Sequence, residues 1–161
     1  MNEEHNEEAA FECQFDVRWA DLDANRHVRN TIFSDFATHT RFQLLETLGF
    51  SQSRFEALRF GPVVLKEEIR YRREVVFGDK LRVNVCCSGL AMDCSQWRVR
   101  QDVRRADGKE AVVLAIQGGW IDLDQRKAIV PPAMLSALMR EIPRTPNFTV
   151  LPSLIRLGKT G

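Results

Sequence analysis

The sequence predicts an α+β domain in which a curled antiparallel sheet wraps around one long helix. Three observations predict it. Apolar and polar residues alternate over 11–19. The period lengthens to that of a helix over 30–48. From 59 to 124 the chain reads almost wholly as strands joined by turn signals.

The elements follow in order. Phe11, Cys13, Phe15, Val17 and Trp19 recur at every second position, the mark of a strand with one buried face. Phe33, Phe36, Ala37, Thr40, Leu44, Leu45 and Leu48 then form a helical stripe about 28 Å long, with Asn30 or Thr31 as cap and Gly49 as stop. Residues 51–58 make a short helical turn. Val63–Val76 is extended, with a break expected at Gly61-Pro62, and Gly78-Asp79 is a turn. Leu81, Val83, Val85 and Cys87 alternate with Arg82, Asn84 and Cys86, and Gly89 allows a bulge. Trp97–Val103 alternates in the same way and leads to the hairpin signal Asp107-Gly108. Ala111–Ile121 is the last predicted strand, kinked at Gly118-Gly119, and Pro131-Pro132 opens a helix over 132–141. About five strands make a sheet roughly 24 Å wide. One helix about 10 Å across leaves much of a flat sheet of that width uncovered, so the sheet must curl and a second subunit can cover the remainder.

The 161 residues suffice for one domain with a real core: residues 1–10 read as a disordered acidic lead, 11–141 as the domain and 142–161 as a tail without clear period. A net charge of +1 gives no bulk attraction to nucleic acid or to an anionic membrane. Cys13, Cys86, Cys87 and Cys94 show neither a CxxC pair nor a zinc spacing, so reduced thiols are expected and no metal site. The acidic start lacks the pattern of a signal peptide, and no stretch approaches the ~18 apolar residues of a membrane span, which points to the cytoplasm.

The polar junction between first strand and long helix carries the chemistry. Asp21, Asp23, Asn25, His27 and Asn30 crowd into ten residues where a helix N-terminus offers free amides. Singly, Asp21 or Asp23 is a turn or cap residue, Asn25 a turn residue, His27 a half-buried polar group and Glu74 a solvated strand residue. Together they ask for another reading.

The segment Asp21-Leu22-Asp23-Ala24-Asn25-Arg26-His27-Val28-Arg29-Asn30 resembles the signature of the hotdog-fold acyl-CoA and acyl-carrier-protein thioesterases, the 4-hydroxybenzoyl-CoA thioesterase-like superfamily. Tyr71-Arg72-Arg73-Glu74 resembles a second segment of the same enzymes, and the element order matches over about 11–130. The resemblance implies the hotdog fold, thioester hydrolysis, Asp23 as the essential acid, and Asn25, His27 and Glu74 beside it. Val75 stands where some members carry cysteine, Arg26 where many carry glycine and Arg29 where asparagine is frequent. Thr38 and His39 replace an acidic residue that often precedes Arg41.

A thioester carbonyl needs a nucleophile and a cradle for the oxyanion. The backbone amides of Val28, Arg29, Asn30 and Thr31 can supply the cradle. Asp23 can attack the carbonyl directly or deprotonate water, and the sequence leaves both open. Phe33 and Phe36 are candidates for the acyl pocket, although core packing is their first use. Arg98, Arg100, Arg104 and Arg105 can meet coenzyme A phosphates or an acidic carrier, or simply form a solvated strand face. The expected cofactor is none, coenzyme A or phosphopantetheine being part of the substrate. The expected partners are acyl-CoA or acyl-carrier-protein and further copies of the chain, as homodimer or homotetramer. The other class to weigh is a non-catalytic acyl-CoA-binding module.

Overall fold

A computed structural model describes residues 10–155; the acidic lead lies almost wholly outside that range. The elements are β1 (Glu12–Asp16), a 3-10 turn (Trp19–Asp21), α1 (Asn30–Thr47), α2 (Gln52–Leu58), β2 (Phe60–Tyr71), β3 (Lys80–Asn84), β4 (Cys86–Ala91), β5 (Gln96–Arg105), β6 (Glu110–Asp122), α3 (Ala133–Glu141) and β7 (Arg144–Leu151). The hotdog arrangement read from the sequence is the one observed: an antiparallel sheet curls around α1.

β2 pairs with β6, β6 with β5, and β5 with β3 and β4 placed end to end. β1 lies beyond β3, and β7 lies beyond β4. The face of α1 that meets the sheet is Ile32, Phe33, Phe36, Ala37, Thr40 and Leu44, all buried, as its helical period requires. Thr40 is tolerated there because its hydroxyl donates to the Phe36 carbonyl at 2.8 Å. A second layer of the core is aromatic: Phe55 stacks on Trp120 and lies edge-on to Phe60.

Four details differ from expectation. The N-cap of α1 is Arg29, with no side-chain cap bond from Asn30 or Thr31. β2 runs through Gly61-Pro62 without a break, because an edge strand has no use for the missing proline N–H. β6 likewise runs straight through Gly118-Gly119. These glycines clear space: a Cβ on Gly118 would stand 2.3 Å from the Val63 carbonyl and 2.4 Å from the Trp97 ring. The irregularity in this pair of strands is a bulge in β2 between Val64 and Lys66. Finally, the tail contains β7, which adds parallel to β4. Thr145 and Leu151 are its buried positions, but Asn147 and Thr149 between them are exposed and Phe148 is half-buried, so no alternation of two runs along the strand.

The turn signals and the bulge expected near Gly89 are observed. Gly49, Gly78 and Gly108 adopt positive φ at their turns, a register shift falls between Cys87 and Gly89, and no disulfide joins the four cysteines.

Candidate active site

The junction folds as a closed loop tied at both ends. Asp21 is fully buried, and its carboxylate receives Arg18 Nη2 at 2.7 Å and the Arg18 amide at 2.9 Å. These bonds hold the Asp21 carboxyl below the ordinary carboxylate range. Its carbonyl accepts the Arg29 amide at 2.9 Å. Asp21 therefore fixes where the loop leaves β1 and where α1 begins, a scaffold role.

Within the loop, the Asp23 amide donates to the His27 carbonyl at 2.8 Å, and Leu22 bridges Val28. The turn requires a left-handed residue, and Arg26 supplies it at φ 65°. Asp23 Oδ1 accepts the backbone amides of Asn25 at 2.8 Å and His27 at 3.2 Å. Its Oδ2 makes no hydrogen bond with the described residues. One oxygen is thus clamped by the loop's own backbone, and the other faces outward. Asn25 serves through its main chain; its carboxamide has no partner among the described residues.

The loop is zipped onto the segment after β2. His27 bridges Val76, and the Val28 amide donates to the Val75 carbonyl at 2.8 Å. This pairing brings His27 Nε2 to 3.2 Å from Glu74 Oε2. The same loop thus ties Asp23 to the His27 main chain and the His27 imidazole to Glu74. The backbone of Glu74 is itself held, its carbonyl accepting Arg105 Nη1 at 3.3 Å.

The α1 terminus is narrower than expected as an anion cradle. Val28 and Arg29 have spent their amides on Val75 and Asp21. The Ile32 amide returns to the Arg29 carbonyl. Asn30 and Thr31 are left as the first-turn donors with neither an intrahelical acceptor nor a side-chain cap.

Phe33 and Phe36 are core residues. Phe36 stacks on Phe15 at 4.4 Å, and Phe33 meets Tyr71 edge-on. His39 packs edge-on against Phe15 as well. The space available to a ligand lies farther along α1. It is a cavity of about 180 Å³, walled by Thr38, Arg41 and Phe42 of the helix, Pro62 and Val64 of β2, and the Trp97 and Trp120 rings, and closed by Met139 and Ile142. Arg41 is the only charged side chain on that wall. Its Nη1 donates to Gln101 Oε1 at 2.7 Å and its Nη2 to Thr38 Oγ1 at 3.0 Å. Burial pushes its guanidinium down to about 10, partly offset by Glu67. Gln101, fully buried, passes the link on to the Ala37 carbonyl.

The arginines of β5 differ in their partners. Arg100 is neutralised by Asp102 and Glu110 and Arg104 by Asp102, on the convex face. Arg98 binds the Ser88 carbonyl and Thr149 instead. Arg105 pairs with Asp107. Most of this set is engaged in ion pairs within the chain.

A family model described as the thioesterase-like superfamily matches residues 17–138. The chain belongs to this superfamily. Solved structures agree on the fold. SAV2348 of Staphylococcus aureus, whose structure is in complex with CoA, superposes with a TM-score of 0.78 at 17% identity and covers 91% of each chain. Slr0204 of Synechocystis, a 1,4-dihydroxy-2-naphthoyl-CoA thioesterase, gives 0.74 at 16% identity over 83% of this chain and 98% of its own. YbaW of Escherichia coli, a probable thioesterase, gives 0.70 at 25% identity over 83% and 99%. No curated protein matches the chain in sequence. The superfamily match begins at Val17 and so includes the whole Asp21–Asn30 loop. No helix among the described residues is long and apolar enough to cross a membrane.

Two features of the site escaped the sequence reading: the Arg41–Gln101–Ala37 link and the inward placement of Glu67 on β2. A buried glutamine in the apolar row of β5 was a visible signal for the first. For the second, the signal was a lone acid among Val63, Leu65, Ile69 and Tyr71.

Proposed function

We propose that this protein hydrolyses acyl thioesters, with acyl-CoA as substrate. The observation that carries the reading is the half-clamped Asp23 carboxylate in the loop that leads directly into α1, whose Asn30 and Thr31 amides have no side-chain cap. The superfamily and its CoA-bound structural neighbour support it. A module that merely held acyl-CoA would have no use for an outward carboxylate oxygen at an anion-binding helix terminus, since it would repel the charge gathered there.

In this reading the thioester carbonyl oxygen lies against the Asn30 and Thr31 amides, where the helix dipole steadies negative charge. Asp23 Oδ2 takes a proton from water as the water oxygen bonds to the carbonyl carbon. The tetrahedral oxyanion then collapses, the C–S bond breaks, and the thiolate takes up a proton. In this reading His27, held by Glu74, relays that proton to the thiolate. Direct attack by Asp23, giving a mixed anhydride that water then opens, uses the same groups. Coenzyme A or phosphopantetheine enters only as the leaving group.

The open edge of β2, paired only with β6 among the described residues, is a place for a second copy to join. An acidic acyl-carrier-protein remains the second donor to test.

The experiment is thiol release from acyl-CoA and acyl-carrier-protein by wild type and Asp23→Asn. Asn keeps the acceptor for the Asn25 and His27 amides and removes the base. We expect a loss of at least about 1,000-fold in kcat, with a melting temperature close to wild type. Near-normal release by the variant would refute Asp23 as the reacting group. Tight CoA binding without release in the wild type would establish the binding module instead.

A further inference from the structure

The seam between α1 and β2 runs from the helix terminus to the cavity through three stations. At the first, the Tyr71 hydroxyl reaches toward the Asn30 carbonyl at 3.5 Å. At the second, Ser34 Oγ donates to Glu67 Oε1 at 2.9 Å. At the third, Thr38, Arg41 and Phe42 face Pro62 and Val64 across the cavity. Thr31, Ser34, Thr38, Arg41 and Leu45 are spaced by three or four residues, so one side of α1 carries the whole path.

Glu67 is out of place on ordinary packing grounds. Across β6, Pro62, Val64, Glu67, Ile69 and Tyr71 face the positions of Trp120, Gly118, Ile116, Leu114 and Val112. Trp120, Ile116, Leu114 and Val112 are core residues, so this row of β2 is the one turned toward α1. Glu67 is its only charged member. The free edge of β2 keeps the carboxylate solvated, which makes it tolerable but leaves its bond to the helix unexplained.

We propose that Ser34 and Glu67 form a gate across the acyl path that a long acyl chain must part, at a cost, to lodge in the cavity beyond, where its burial makes long chains the preferred substrates. This rests on the thioesterase reading above. At about 1.5 Å per residue, the gate lies roughly 4–5 Å beyond Thr31 and the cavity begins roughly 10 Å beyond it. An extended chain advances about 1.2 Å per bond, so about nine carbons reach the cavity mouth. A cavity of about 150 Å³ holds a benzene ring, so the one here takes about six further carbons. The preferred acyl group therefore has roughly 12–16 carbons. Butanoyl groups stop short of the cavity and gain nothing from it. Each methylene buried beyond the gate is worth about fourfold.

The test is the ratio of kcat/KM for tetradecanoyl-CoA to that for butanoyl-CoA. Wild type should give a ratio of at least 100. Ser34→Ala and Glu67→Gln, which weaken the gate bond, should raise the ratio by about threefold or more. Thr38→Trp, which fills the cavity, should lower it at least tenfold. Val64→Trp fills it from the opposite wall and replaces that variant if Thr38→Trp does not fold. A bond with a purely structural role would shift both substrates alike, and ratios within twofold of wild type across the variants would overturn the proposal. Tetradecanoate should also raise the melting temperature of wild type and not of the cavity-filled variant. If wild type releases no thiol but this stabilisation is seen, hydrolysis fails while the chain pocket stands. If release proceeds without chain-length preference or stabilisation, the gate fails alone.

Discussion

Gln101 is the residue whose loss has the most calculable consequence. Replacing it by leucine keeps most of the volume and removes two bonds. One is the 2.7 Å acceptor for Arg41, a bond to a charged donor worth about 1.5–3 kcal/mol. The other is the 3.0 Å donation to the Ala37 carbonyl, worth about 0.5–1.5 kcal/mol. Ala37 O retains its place in the helical ladder, so no acceptor is orphaned, and added apolar burial returns about 1 kcal/mol. The expected net loss is about 1–3.5 kcal/mol, or a fall in Tm of roughly 3–12 °C for a domain of this size. Arg41 supplies the control. Its guanidinium is lowered to about 10, burial outweighing the attraction of Glu67, so the charged form carries a net penalty of roughly 3 kcal/mol. The folded value lies below the unfolded one, so the unfolded chain binds the proton more tightly. The penalty is therefore complete below pH about 10 and relieved only as pH rises above that value. At pH 7 the double variant Arg41→Met, Gln101→Leu sheds that penalty together with the bonds. It should recover to within about 1 kcal/mol of wild type. Urea denaturation followed by tryptophan fluorescence gives the full cycle. A Gln101→Leu loss under about 1 kcal/mol, or a double variant no more stable than Gln101→Leu alone, would refute the reasoning.

Three further outcomes follow from the loop and the sheet. Arg18→Met removes the group that keeps the Asp21 carboxyl low; since a depressed carboxyl contributes stability that is lost as pH falls through its folded value, the variant should lose stability at neutral pH and show a shallower acid limb. A stability–pH curve parallel to wild type would contradict this. Gly118→Ala places a methyl group against the Val63 carbonyl and the Trp97 ring and should cost about 1–3 kcal/mol by denaturant midpoint; a change under about 0.5 kcal/mol would show that the strands give way freely. Arg26→Gly relieves a left-handed residue at about 1–2 kcal/mol and gives back about 0.5–1 in unfolded-state entropy. A small gain in stability is expected, and a loss would reveal work done by the Arg26 side chain.

The fold was legible because its two periods are clean. Phe33, Phe36, Ala37, Thr40 and Leu44 are the buried face of α1 just as their spacing requires. β7 was not legible: as an edge strand with Thr145 and Leu151 as its buried positions, it lacks the alternation that marks a half-buried strand. At the site, residue types showed which side chains gather but not which atoms are already used. Asn25 acts through its amide, and Val28 and Arg29 have no amide to spare, facts fixed by the hairpin closing on Val75 and Asp21. The position of Glu67 depended on the bulge at Leu65. Simple alternation groups Glu67 with Val63 and Leu65, whereas the folded strand groups it with Pro62 and Val64.

The clamp on Asp23 has a consequence for how such a protein can diversify. Both bonds to its Oδ1 come from residues within four positions of it. The hairpin is moored to Val75 and Asp21, and none of these residues forms the cavity wall. On the function proposed above, chemistry and size selection are written in separate stretches of the chain. Substitutions along the middle of α1, at the start of β2 or in α3 can remodel what fits without moving the carboxylate. A library randomising Thr38, Val64 and Met139 would explore new acyl groups while inheriting an intact reaction centre.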